Sequence, residues 1–120
     1  VFETFCQTIF TLLPIDISRL GIEVGKWWYK EKEIDLVAVN AETKEIVFGE
    51  CKWQENVDAL AIVKRLDETV RVCKTQVKMT INKEYYVVFA KSFSKKIKEF
   101  EGKKVYCFDL RDIGRELRRH

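Results

Sequence analysis

The sequence predicts a mixed α/β domain in which helices cover both faces of a central sheet. Three observations lead there. Apolar residues recur at helical spacing near the N-terminus and again after residue 58. Three consecutive β-rich runs lie between those helices, joined by short polar stretches, and a fourth apolar run follows the second helix. Three consecutive strands form an antiparallel meander, and a strand–helix–strand crossover sets the fourth strand parallel to the third with a right-handed connection.

Each element has its own pattern. Phe2, Phe5, Cys6, Ile9, Phe10 and Leu13 fall on one helical face, and Pro14 ends that helix. Residues Ile22 to Tyr29, Glu33 to Asn40 and Lys44 to Trp53 read as strands, with the polar Asn40-Ala-Glu-Thr-Lys44 as a hairpin turn. Ala59, Val63, Leu66, Val70, Cys73 and Val77 alternate in steps of four and three, the narrow apolar stripe of a long helix. Glu84 to Ala90 is a buried strand. Ser94 to Glu101 reads as a short helix capped by Ser94 and stopped by Gly102, and Val105 to Phe108 as the last strand. Asp109 or Asp112 then caps a basic helix that ends near His120.

Composition narrows the function classes. The chain has 120 residues, 47% hydrophobic and 34% charged, which suits one domain with one core and excludes a disordered chain. No apolar run approaches the roughly 20 residues of a membrane span, and no signal peptide is recognisable. The chain enters an amphipathic pattern directly from Val1, as an excised part of a longer protein would. Cys6, Cys51, Cys73 and Cys107 form no C-x-x-C pair, and His120 is the single histidine, so a zinc site is disfavoured. Each cysteine has apolar neighbours and reads as a free, core-packed thiol of a reducing cytoplasm. Net charge is +3, but residues 91–120 hold ten Lys or Arg against five Asp or Glu, a basic stretch that suits a polyanion as well as a plain solvated surface.

The chemistry concentrates in "EIDLVAVNAETKEIVFGECKW", residues 33–53. If the hairpin turn centres between Glu42 and Thr43, facing residues have numbers that sum to 85. Asp35 then opposes Glu50, and Lys52 lies two residues along on the same face. Opposed carboxylates repel, more strongly where burial weakens screening. A divalent cation would offset the repulsion, since Mg2+ takes one or two carboxylates and completes its shell with water and phosphate oxygens. Lys52 would hold a phosphate oxygen or a nucleophilic water, an arrangement suited to phosphodiester hydrolysis. On the residues alone a second arrangement stays open, an ion-pair ladder on an exposed face with Glu33 against Lys52. Glu-x-Lys occurs three times, ending at Lys44, Lys52 and Lys103, and only the second lies within an apolar strand.

The element order, with Asp on the second strand and Glu-x-Lys on the third, resembles the PD-(D/E)xK phosphodiesterase superfamily, the restriction-endonuclease-like α/β/α sandwich. More narrowly, "VFETFC", "GKWWYKEKEIDLVAVN" and "IVFGECKW" resemble the C-terminal domain of archaeal AAA/STAND-type ATPases. That resemblance implies one nuclease-like domain over residues 1–120, the C-terminal part of a longer ATPase chain. It implies Mg2+ or Mn2+ held by Asp35 and Glu50, Lys52 as the catalytic lysine, and Glu3 on the first helix as an assisting acid. Ile34 stands where the motif's proline would be. The implied activity is a metal-dependent endonuclease acting on DNA in the cytoplasm, with the ATPase module as a partner in the same chain. The alternative is a catalytically silent nucleic-acid-binding or protein-docking domain of that ATPase. An exposed Trp27 or Trp28 would stack a base. Trp53 is expected to face away from Lys52, toward the core or the other helix layer. Lys64, Arg65, Arg71, Lys74 and Lys78 avoid the apolar stripe of the long helix, where they either hold phosphates or are simply solvated.

Overall fold

The computed structural model describes residues 2–15, 17 and 21–119, with side chains from Thr4 onward. Helix α1 spans Phe2–Phe10, followed by strands β1 (Ile22–Tyr29), β2 (Lys32–Asn40), β3 (Glu45–Lys52) and β4 (Val57–Asp58). Helix α2 (Ala59–Gln76) leads to β5 (Lys83–Ala90), β6 (Phe93–Lys95), β7 (Glu99–Phe100), β8 (Lys103–Phe108) and helix α3 (Leu110–Arg119). Six strands form one mixed sheet in the order β1-β2-β3-β5-β8-β7, and β4 and β6 form a separate parallel pair. β1 to β3 are the antiparallel meander, and β3, β5 and β8 run parallel. The predicted mixed α/β sandwich is the observed fold.

The sheet carries a core on each face. On one side Cys6, Ile9 and Phe10 of α1 and Ile113 of α3 pack with Leu36, Val47, Val87 and Phe89. On the other, Ile62, Val63, Leu66 and Val70 of α2 pack with Ile34, Phe48, Tyr86 and Val88. The central strands are buried on both faces, which explains why β5 reads as an unbroken apolar run rather than an alternation. Gly49 sits where β3 is most crowded. A Cβ there would lie 2.7 Å from Val87 Cγ1 and 3.1 Å from Leu36 Cβ.

Three readings need correction. α1 ends at Phe10, before Pro14, and closes with the tighter i→i+3 bonds of Leu12 to Ile9 and Leu13 to Phe10. Phe5 is exposed, while Cys6, Ile9, Phe10 and Leu13 are buried as expected. Phe2 has no described side chain. Most clearly, Ser94 to Glu101 is no helix. Phe93 pairs with Val57, the Ser94 hydroxyl donates to Val57 O, and Glu99 and Phe100 pair back onto β8. Its Phe93, Ile97, Phe100 spacing imitates a helical stripe, but non-helical backbone carries all three against the α2-side core. Neighbouring strands satisfied the backbone there and overrode the local pattern.

The last helix is capped reciprocally. The Asp112 amide donates to Asp109 Oδ1 at 2.8 Å, and the Asp109 amide donates to Asp112 Oδ2 at 3.1 Å. This is a capping box with Asp in place of Glu. Lys96 reaches Asp112 Oδ2 at 2.6 Å and ties the cap to the loop after β6. Asp109→Ala is expected to lower stability by about 1 kcal/mol in urea unfolding, the usual loss of one N-cap.

Candidate active site

The hairpin register is the one the turn predicts: Leu36 faces Gly49, Val37 faces Phe48 and Asn40 faces Glu45, each pair summing to 85. Asn40 sets it, because its buried Oδ1 accepts the amides of Glu42 and Thr43 and closes the turn from inside. The ladder stops at Leu36–Gly49, one pair short of Asp35 and Glu50. The cause lies across β2 on its other neighbour. Gly25 faces Val37 and Trp27 faces Ile34, so Asp35 and Leu36 together oppose Lys26 alone. This β-bulge lets Ile34 pack on the α2 side and Leu36 on the α1 side. Asp35 stands where the strand changes face.

The bulge aims the Asp35 carboxylate back at β3. Asp35 is 4% exposed, and its Oδ2 accepts the Cys51 amide at 2.9 Å. Its carbonyl is held by Gln7 Nε2 of α1 at 2.9 Å. The Glu50 carboxyl lies close enough to that of Asp35 to feel it directly. Burial first, and then the charge and hydrogen bond of Asp35, push the Glu50 carboxyl up from 4.5 to about 8, against the pull of Lys52. Glu50 therefore keeps its proton at neutral pH.

Glu50 and Lys52 line one wall of a cleft of about 210 Å³ between β3 and α2, whose other wall is Ile62, Arg65, Leu66 and Thr69. The expected Asp35–Glu50 ladder pair does not form; Asp35 nears Glu50 at the bulge instead, and Lys52 lies within reach of the same carboxyl. Glu3 lies on α1, but its side chain is outside the described residues. The ladder of Glu33 with Lys52 does not form, because β2 and β3 have parted by then, and Glu33 pairs with Lys26 at 3.4 Å. Of the α2 cations, Arg65 reaches the cleft. Arg71 pairs with Asp67 at 3.0 Å and Lys74 with Glu84 at 2.7 Å. Trp53 departs from expectation: it is 51% exposed, with Lys91 Nζ 4.5 Å from its ring centroid. β3 ends at Lys52 and the chain turns immediately, the Gln54 amide donating to Lys52 O, so no helix covers the ring. Trp28 is the outward member of its pair, 68% exposed, while Trp27 packs on the α2-side core.

Sequence reasoning missed Gln7 and the bulge it braces. A single glutamine beside an apolar stripe carries no signal, since its role depends on a backbone carbonyl 28 residues away.

The donor set suits a divalent cation. A cation held between the two carboxyls would take the place of the Glu50 proton. Among the described residues no group of three or more His, Cys, Asp or Glu converges, so water, carbonyls and substrate would complete the shell of any ion held here.

The family profile of archaeal and bacterial proteins of unknown function, DUF234, matches residues 1–63, more than half of this chain. The chain belongs to the DUF234 family. The matched region contains Asp35, Glu50 and Lys52. An uncharacterized protein of Methanocaldococcus jannaschii is 31% identical over 93 residues, which are 78% of this chain and 20% of the relative. The chain therefore spans about a fifth of the length of that relative. No solved structure matches. Among the described residues no helix is long and apolar enough to cross a membrane.

Proposed function

We propose that this DUF234 domain is a divalent-metal-dependent nuclease that hydrolyses DNA phosphodiester bonds on the PD-(D/E)xK plan. The observation that carries the proposal is the close Asp35–Glu50 carboxyl pair, with Glu50 and Lys52 lining one cleft. Asp35 and Glu50 would hold Mg2+ or Mn2+, with Glu3 as the assisting acid. The bound ion supplies neutralisation of charge gathering on the phosphorus oxygens and a more acidic water. The chain's own groups do the rest. The Cys51 amide and Gln7 fix Asp35, so the carboxyl pair is in place before substrate arrives. Lys52 donates to a phosphate oxygen or orients the water, and Arg65 on the facing wall holds a neighbouring phosphate. A nucleotide-hydrolysing module in the same polypeptide is part of the proposal, and the relative, of which the match is 20%, has the length for one. Four free cysteines support a cytoplasmic setting.

The test is cleavage of duplex, branched and single-stranded DNA by the full-length protein in Mn2+ and in EDTA. Metal-dependent cleavage is expected, slowed about 100-fold or more by Lys52→Ala and by Glu50→Ala. Rates equal in wild type and both variants would end the nuclease reading. Salt-dependent DNA binding without cleavage would select a catalytically silent nucleic-acid-binding domain instead.

A further inference from the structure

We infer that Trp53 and Lys91 form a platform that stacks an unpaired base beside the scissile phosphate, so that the nucleic acid this site takes is single-stranded or locally unpaired. The inference rests on the nuclease reading for the position of the cut and on independent geometry for the platform.

Trp53 directly follows Lys52, and Lys91 directly follows Ala90, the residue that Lys52 faces on the parallel neighbour. The two side chains are therefore carried side by side past the carboxyl ends of adjacent parallel strands, the edge where open α/β sheets take their ligands. Lys91 Nζ sits 4.5 Å from the indole centroid, within cation–π range. The backbone around the pair is tied down. The Lys91 amide donates to Gln54 O at 3.0 Å, the Val57 amide to Ser92 O at 3.0 Å and the Asn56 amide to Ser92 Oγ at 2.8 Å. An indole half open to water, on a braced chain and with an ammonium against it, is a preorganised surface.

The chemistry selects the ligand. The platform joins an aromatic face to a cation, and Lys52, the residue before Trp53, lines the cleft with Arg65. A nucleotide matches both parts, because its base stacks on indole while its phosphate meets the lysines. An acidic peptide would meet the cations but brings no base to the ring. In a duplex the base faces are already stacked on one another and are closed to Trp53, which restricts the platform to bases outside a helix. Because Trp53 and Lys52 are consecutive, the stacked base belongs to a nucleotide next to the one whose phosphate enters the cleft.

The test uses the full-length protein in EDTA, where binding is read without cleavage. The probes are a single-stranded DNA carrying 2-aminopurine and a fully paired duplex of the same sequence. Trp53→Ala is expected to weaken single-strand binding roughly 5- to 150-fold, Trp53→Phe to keep it within about threefold, and both to leave duplex binding unchanged. The 2-aminopurine fluorescence should be quenched by wild type and not by Trp53→Ala. Melting temperatures of the variants check that the fold is intact. Equal losses on both probes, no loss on either, or no single-strand binding by wild type would each overturn the platform. Trp53-dependent binding and quenching without metal-dependent cleavage would uphold the platform and remove the nuclease reading.

Discussion

Replacing Glu50 by Gln is expected to remove most of the pH dependence of stability between about pH 4.5 and pH 8 and to make the metal-free protein more stable than wild type at pH 9. Burial and Asp35 raise the folded carboxyl from 4.5 to about 8. Between those values the folded chain holds a proton that the unfolded chain has released, so stability falls as pH rises. The contribution is complete below about pH 4.5, declines through the window and is lost above about pH 8. At the alkaline end two carboxylates face each other, opposed by Lys52. A glutamine amide still donates to Asp35 and never ionises. The two proteins should match at pH 5 to within about 1 kcal/mol and separate by a few kcal/mol at pH 9. That is a difference in melting temperature on the order of 10 °C. Thermal melts in EDTA across this range check it, and parallel curves would show that the Glu50 carboxyl is not raised. The result bears on function, because the electrostatic cost that Gln removes is the one a cation would offset.

The second large effect lies on the sheet-facing side of α2, where Asp67 is buried against Tyr86. Asp67→Ala is expected to lower stability by about 3–5 kcal/mol, the usual cost of breaking a buried charged network by deleting one partner. Asp67 is 5% exposed and accepts the Tyr86 hydroxyl on Oδ1 and Arg71 Nε on Oδ2 at 3.0 Å, with Lys103 Nζ 3.6 Å away. Burial opposes its ionisation, but the Tyr86 and Arg71 hydrogen bonds and the Lys103 charge outweigh it and hold the carboxyl below its ordinary value. Burial and the Asp67 carboxylate push the Tyr86 phenol well above its own ordinary value. Without Asp67 the fully buried Tyr86 hydroxyl loses its acceptor and Lys103 its nearest anion. Asp67→Asn keeps an acceptor for Tyr86 and should lose about 1–2 kcal/mol. Urea unfolding separates the three proteins, and a loss under about 1 kcal/mol for the alanine variant would mean that the network is solvated.

Asp67 also marks where sequence reading stops. Its position beside Leu66 places it at the edge of the helical stripe, and nothing in the residue string indicates that Tyr86 and Lys103 meet it there. Strand parity turns Trp53 toward a packed layer. Parity gave no warning that the strand ends at Lys52. Ser94 to Glu101 kept a helical rhythm while β8 and Val57 supplied its backbone partners.

Local information determined the meander, the crossover helix and the hairpin register, because turn chemistry and residue period act over a few neighbours in the chain. The tertiary structure alone decided the rest. A bulge against β1 turned Asp35 back onto the Cys51 amide, and a glutamine from α1 braced it. The ends of two parallel strands put Lys91 against Trp53. Those contacts join residues tens of positions apart, where packing and desolvation, rather than local preference, choose the partners.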